Sequence, residues 1–123
     1  MKILFLSITV PSPPTDGGRI RVLNLLKQLA RKNQITFLAL ETTPTDHEGI
    51  AHLCSLGIDA HLIARAPNLP PLNLQTIARA LVKSKPITVA RYDFPGFSQE
   101  FHSLLAKDAF DLIHYEMFHA AQY

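Results

Sequence analysis

The chain has 123 residues, of which 47% are hydrophobic and 18% charged, and its formal net charge is +2. This length matches one average domain with one buried core. The charge is too small for a protein that neutralises many phosphates, so we expect no nucleic-acid partner. The single cysteine, Cys54, excludes a disulfide framework and a cluster of thiolate metal ligands.

The first predicted element is a strand over residues 3–8, a near-continuous apolar run of the kind that is buried on both faces of a parallel sheet. Prolines follow this run where a signal peptide would have a small-residue cleavage site, so a secretory signal is excluded. No stretch approaches the ~20 apolar residues that a membrane span needs. We therefore expect a cytoplasmic protein.

The next segments predict helices and strands in alternation. Residues 19–31 carry apolar side chains at spacings of three and four, which predicts an amphipathic helix. Residues 34–40 and 59–64 predict a second and a third strand. Between these strands, Thr45 and Glu48 offer a capping box for a helix that Gly57 would end.

The second half of the chain continues the pattern less regularly. After a proline-rich loop, the spacing of apolar residues from Leu74 to Val82 marks one face of another helix. Residues 84–96 have no regular pattern. A short helix fits residues 97–105, and residues 110–115 predict a last strand. The chain ends where a further helix begins, which predicts a domain incomplete at its C-terminal end.

Strands that alternate with helices indicate βαβ units, whose crossovers are right-handed in almost every case. We therefore predict an α/β fold over residues 1–123. Its architecture would be a Rossmann-like three-layer domain, a parallel sheet with helices on both faces.

The loop after the first predicted strand holds the most informative motif. Ligands of open parallel sheets bind beyond the carboxyl ends of the strands, and here prolines lead into Gly17-Gly18 at a helix start. Amides at a helix N-terminus bind anions, and without a Cβ a phosphate can come close. Arg19 and Arg21 would gain from an anion at this helix end, where the dipole disfavours cations. Alternatively, Asp16 caps the helix and pairs with Arg19.

The sequence Met1-Lys2-Ile3-Leu4-Phe5-Leu6-Ser7, then prolines, then Asp16-Gly17-Gly18-Arg19-Ile20-Arg21, resembles the opening of family 4 retaining glycosyltransferases. The closing run Phe110-Asp111-Leu112-Ile113-His114-Tyr115-Glu116 is similar to the family's Asp-aliphatic-aliphatic-His strand, so the resemblance spans the chain. It implies the N-terminal, acceptor-side half of a GT-B fold, whose partner is a missing C-terminal donor-binding domain.

The same resemblance implies an activity. The parent enzyme would move a hexose from a nucleotide diphosphate sugar to a sugar or lipid-linked acceptor, with retention at the anomeric carbon and without a cofactor. The isolated chain is predicted to be inactive. The alternative is a non-catalytic Rossmann-like module that binds a nucleotide or a protein partner.

The resemblance also assigns residues to the donor. Gly17 and Gly18 match the glycine pair whose backbone approaches the donor diphosphate from the acceptor side. Arg19 or Arg21 would add positive charge to that contact.

The predicted catalytic residues are His114 and Glu116. His114 matches the histidine that ends the family's strand, but Glu116 stands where many relatives carry a second histidine. This departure leaves open which of His114, Glu116 and His119 faces the sugar. For His114, a partly buried histidine bonded to the backbone is the alternative. A buried Glu116 would need a charged partner or a ligand.

The acceptor is predicted to contact four residues of the first loop, the irregular segment and the C-terminal end, namely Asp16, Arg91, Tyr92 and His119. A solvated loop is the alternative for the segment with Arg91 and Tyr92. Two histidine pairs are five residues apart, which does not align two imidazoles on one helical face, so we predict no metal site. These pairs are His47 with His52 and His114 with His119.

Cations at Arg79, Lys83 and Lys85 indicate a weak contact with the inner face of a membrane, and ordinary solvation is the alternative.

Overall fold

The computed structural model of the chain describes residues 1–64, 74–82 and 94–116. Within these ranges there are four strands and four helices. In chain order they are β1 (Lys2–Leu6), α1 (Gly17–Ala30), β2 (Gln34–Leu40), α2 (Asp46–Ser55), β3 (Asp59–Ile63), α3 (Leu74–Val82), α4 (Pro95–Lys107) and β4 (Leu112–Tyr115). The ends of the predicted elements shift by a residue or two.

The four strands form one sheet in the order β3-β2-β1-β4, and every pair of neighbours is parallel. The chain moves outward from β1 through β2 to β3 and then returns to the other side of β1. The strand order therefore reverses between β1 and β4. In open α/β sheets a crevice forms at such a point, beyond the carboxyl ends of the two strands.

Alternate residues of β1 enter two hydrophobic clusters on opposite faces of the sheet. Ile3 and Phe5 pack with residues of α1 and α2, whereas Leu4 and Leu6 pack with residues of α4. All four side chains are almost fully buried, and each contributes about 1.5–3 kcal/mol on removal from water. The sheet thus has helices on both faces, which confirms the predicted α/β, Rossmann-like three-layer fold.

The predicted capping box at the start of α2 is wrong. Thr45 has a helical backbone conformation (φ −74°, ψ −9°), and its side chain makes no capping bond. The carboxylate of Asp46, the first residue of α2, instead accepts hydrogen bonds from two backbone amides of the preceding loop, those of Thr42 (2.6 Å) and Thr43 (2.8 Å). The predicted end is confirmed, since Gly57 follows the helix with φ 79°, a conformation that glycine adopts without strain.

The Asp46 carboxyl is the most deeply buried ionisable group that the structure describes. Burial raises its pKa, but the hydrogen bonds from the backbone amides and hydroxyls of Thr42 and Thr43 lower it, and the resulting pKa lies below the ordinary aspartate value. An ionised Asp46 therefore ties the loop after β2 to the start of α2.

Apolar side chains of α3 face solvent. Leu74, Leu81 and Val82 are 75–86% exposed, whereas Ala80 is 2% exposed. An amphipathic helix normally buries its apolar side, so α3 departs from that rule. Lys83 and Lys85, two of the three cations considered for membrane contact, lie outside the described residues. Among the described helices, none combines the length and hydrophobicity needed to cross a membrane.

Candidate functional site

A cleft of about 260 Å³ opens at the carboxyl ends of β1 and β4, where the strand order reverses. Residues from three segments line it. They are Ser7, Thr9 and Pro11 after β1, then Asp16, Gly18, Arg19, Arg21 and Val22 at the start of α1, and Glu116 after β4. The switch point of the sheet and the predicted glycine motif therefore meet in one place.

Asp16 is the N-cap of α1. Its Oδ1 accepts a hydrogen bond from the Arg19 amide at 2.9 Å, and its Oδ2 lies 3.5 Å from Nε of Arg19. The structure thus contains the cap and the ion pair that were the alternative explanation of this motif. The role of Asp16 in acceptor binding stays a prediction.

The cap does not use the amides of the two glycines. The Asp16 side chain takes the Arg19 amide, and the Asp16 carbonyl takes the Ile20 amide at 2.9 Å. In the part of the chain that the structure describes, no acceptor contacts the amides of Gly17 and Gly18. The first amides of a helix lack intrahelical partners, so these two are available to a ligand.

The packing of the protein does not require glycine at either position. A Cβ on Gly17 would meet no atom within 4 Å, and a Cβ on Gly18 would come close only to Oδ1 of Asp16, at 3.2 Å. Neither glycine has a positive φ. The packing and the backbone conformation of the described residues therefore do not explain why both positions are glycine.

Glu116 is the buried charge of the cleft. It is 5% exposed, and its backbone amide donates to the Leu6 carbonyl at 2.8 Å, which fixes it just beyond β4. Its carboxylate forms an ion pair with Arg21, and its Oε2 lies 3.5 Å from Nε2 of His114. A buried carboxylate is costly unless it is paired, and these two residues are its partners.

His114 lies behind Glu116. Its ring stacks on Phe5, the residue opposite it in the sheet, with 4.3 Å between ring centroids. The group near its Nε2 is Glu116, and among the described residues the ring makes no bond to the backbone, which was the alternative for His114. Of the two predicted catalytic residues, Glu116 lines the cleft and His114 contacts Glu116 from outside it. His119, Arg91 and Tyr92 lie outside the described residues.

The charged side chains of the cleft cancel. Asp16 is paired with Arg19, and Glu116 is paired with Arg21. Two positive and two negative charges leave no net side-chain charge. The amides of Gly17 and Gly18, by contrast, have no acceptor among the described residues. An anion that binds here would have to share each arginine with its carboxylate.

No family model, curated protein or solved structure matches the chain. The resemblance to family 4 glycosyltransferases therefore stays a prediction, and the function is argued from the cleft.

Two polar residues of the cleft, Ser7 and Thr9, were not predicted as site residues. Ser7 Oγ donates to the Thr9 carbonyl at 2.7 Å and accepts from the Thr9 amide at 3.3 Å, so the pair forms a turn directly after β1. Their place beyond a strand end was the available signal, but no residue pattern marks them. Among the described residues, no three His, Cys, Asp or Glu side chains converge where a metal ion could bind.

Proposed function

We propose that this chain is the acceptor-side domain of a retaining hexosyltransferase that uses a nucleotide diphosphate sugar. The observation that carries the proposal is the pair of amides at Gly17 and Gly18, which have no acceptor among the described residues. Gly18 lines the switch-point cleft, and Gly17 precedes it as the first residue of α1. A diphosphate at hydrogen-bond distance from these amides explains why both residues lack a side chain.

The chemistry of transfer fits this arrangement. The bond between the anomeric carbon and the diphosphate oxygen breaks, and its electron pair leaves with the diphosphate. The acceptor hydroxyl oxygen then bonds to the anomeric carbon from the same face, and its proton goes to the departing diphosphate oxygen. Fixed amides stabilise the negative charge that develops on the leaving group, and they need no reorganisation during the reaction.

Glu116 and Arg21 complete the proposed site. Positive charge develops on the sugar during glycosyl transfer, and the Glu116 carboxylate lines the cleft where it could oppose that charge. His114 holds this carboxylate from behind. Arg21, whose side chain is 61% exposed, can reach both Glu116 and a bound diphosphate. The proposal assigns the diphosphate to the glycine amides, with Arg21 shared between Glu116 and the ligand, and it includes no metal ion.

The small volume of the cleft favours a donor site that this domain shares with a second domain. At about 260 Å³ it lies below the roughly 300–1,000 Å³ of sites that enclose a small-molecule ligand. It therefore suits a diphosphate better than a whole nucleotide sugar. In the proposal a second domain binds the nucleotide, and the acceptor contacts Asp16 together with Arg91, Tyr92 and His119.

Calorimetric titration of the chain tests this proposal. The ligands are inorganic pyrophosphate, uridine diphosphate, guanosine diphosphate and uridine. We expect pyrophosphate to bind with a Kd of about 1 mM. The nucleoside part of uridine or guanosine diphosphate should lower this Kd by less than about threefold. Gly18→Val should abolish binding, whereas Gly96→Ala, in α4, should not. A gain of about tenfold or more from the nucleoside would instead support the nucleotide-binding module. Absence of pyrophosphate binding would overturn the proposal.

A further inference from the structure

The loop between β1 and α1 is attached to α2 through one side-chain pair. Ser12 Oγ and Nδ1 of His52 are 2.8 Å apart, and Ser12 is 6% exposed. Among the described residues, no other hydrogen bond joins residues 8–15 to another element. This loop leads from the cleft wall to Gly17 and Gly18, so its attachment affects the site.

Gly49 brings the backbone of α2 against the same loop. It lies three residues before His52, on the same side of the helix. A Cβ at Gly49 would overlap the Ser12 carbonyl oxygen and would lie 2.7 Å from Cγ1 of Val10. Ser12 is therefore held at two points, with its carbonyl against Gly49 and its hydroxyl bonded to His52.

We propose that His52 is a positioning residue for the anion site. Its bond to Ser12 sets the direction in which the amides of Gly17 and Gly18 leave the loop. Prolines on both sides of Ser12 have fixed φ angles, so a shift at Ser12 passes along the loop to the start of α1. In naming a diphosphate as the ligand of these amides, the inference rests on the proposed function.

The chemistry of the bond indicates which variants can replace histidine. A neutral imidazole with its proton on Nε2 accepts from the Ser12 hydroxyl at Nδ1, and an imidazolium donates to the hydroxyl oxygen. The amide of asparagine offers an acceptor or a donor at about the position of Nδ1, whereas leucine offers neither. His52→Asn should therefore preserve the attachment, and His52→Leu should break it.

The first measurement needs no ligand. Amide nitrogen–proton NMR spectra would be recorded for the wild type, His52→Leu, His52→Asn and Leu104→Ala. Leu104 lies in α4 in the cluster on the other face of the sheet, so its variant is a matched control that lowers stability away from the loop. We expect His52→Leu to shift the resonances of Gly17 and Gly18, and the other two variants to leave them at their wild-type positions.

The second measurement is the pyrophosphate affinity at a temperature where every variant is folded. His52→Leu should weaken binding by about tenfold, and His52→Asn should bind within about threefold of the wild type. If Leu104→Ala weakens binding as much, or if His52→Leu changes neither the glycine resonances nor the affinity, the positioning role is overturned.

Failure of the proposed function gives a different result. If the wild type does not bind pyrophosphate, the glycine resonances still decide whether His52 positions the loop. Should His52→Leu fail to fold, Ser12→Ala removes the same bond without altering α2. This variant must shift the resonances of Gly17 and Gly18, and unshifted resonances would overturn the inference.

Discussion

Replacing Gly49 with alanine should destabilise the protein, although alanine is the better helix former. The added methyl group would overlap the Ser12 carbonyl oxygen and crowd Val10. Neither neighbour can move easily. The carbonyl belongs to a backbone that the Ser12–His52 bond holds, and Val10 is fully buried in the core.

The magnitude follows from two opposing effects. Overpacking a buried site costs about 1–3 kcal/mol, and an overlap with backbone belongs at the upper end of that range. Glycine to alanine within a helix contributes ~1 kcal/mol in the other direction. The net loss in the free energy of unfolding is about 2 kcal/mol, which lowers the melting temperature of a domain of this size by roughly 8 °C.

Thermal and urea unfolding followed by circular dichroism would measure this loss. Gly96→Ala is the matched control, because a Cβ at Gly96 meets only Cγ2 of Ile63, at an ordinary 3.5 Å. The control should be as stable as the wild type or more stable. If Gly49→Ala unfolds at the wild-type temperature, α2 does not pack tightly on the loop, and Ser12 is held by its bond to His52 without a second contact.

Three further variants test the charges at the carboxyl edge of the sheet. The folded pKa of Asp46 is lowered, so its stabilising effect is complete above the unfolded pKa and is lost as the pH falls through the folded pKa. Asp46→Asn should cost about 2 kcal/mol at neutral pH and flatten the acid-dependent loss of stability in urea unfolding. If Asp46→Asn loses stability in acid as steeply as the wild type does, this explanation of the lowered pKa is contradicted. Glu116→Gln removes a negative charge from the cleft and should raise pyrophosphate affinity about fivefold in calorimetry, whereas Arg21→Gln should lower it by a similar factor. If neither variant alters the affinity, this ion pair plays no part in anion binding.

Local patterns were sufficient to predict most of the fold. β1 is buried on both faces, so its sequence is a continuous apolar run. A helix at the surface would instead be apolar on one side only. Asp16 caps α1 and Gly57 follows α2 because both positions depend on backbone geometry within a few residues. The alternation of strands and helices is also visible along the chain, so a parallel sheet could be predicted without knowing the strand order.

Features that depend on distant partners could not be read from the sequence. Arg21 and Glu116 are 95 residues apart, and they meet only because β4 returns to the side of β1. The bonds from the amides of Thr42 and Thr43 to Asp46 are local, but they depend on a loop conformation that no residue pattern indicated. Cys54 is exposed, because the buried side of α2 passes through its neighbour Leu53.

An NMR titration with pyrophosphate, resolved at each backbone amide, tests the central claim most directly. The account predicts that Gly17 and Gly18 show the largest shifts and that these saturate together. A basic groove at the other end of the sheet, lined in part by Arg31 and Lys32, is the internal control. Shifts that concentrate at Arg31 and Lys32 while the two glycines stay unmoved would contradict the account.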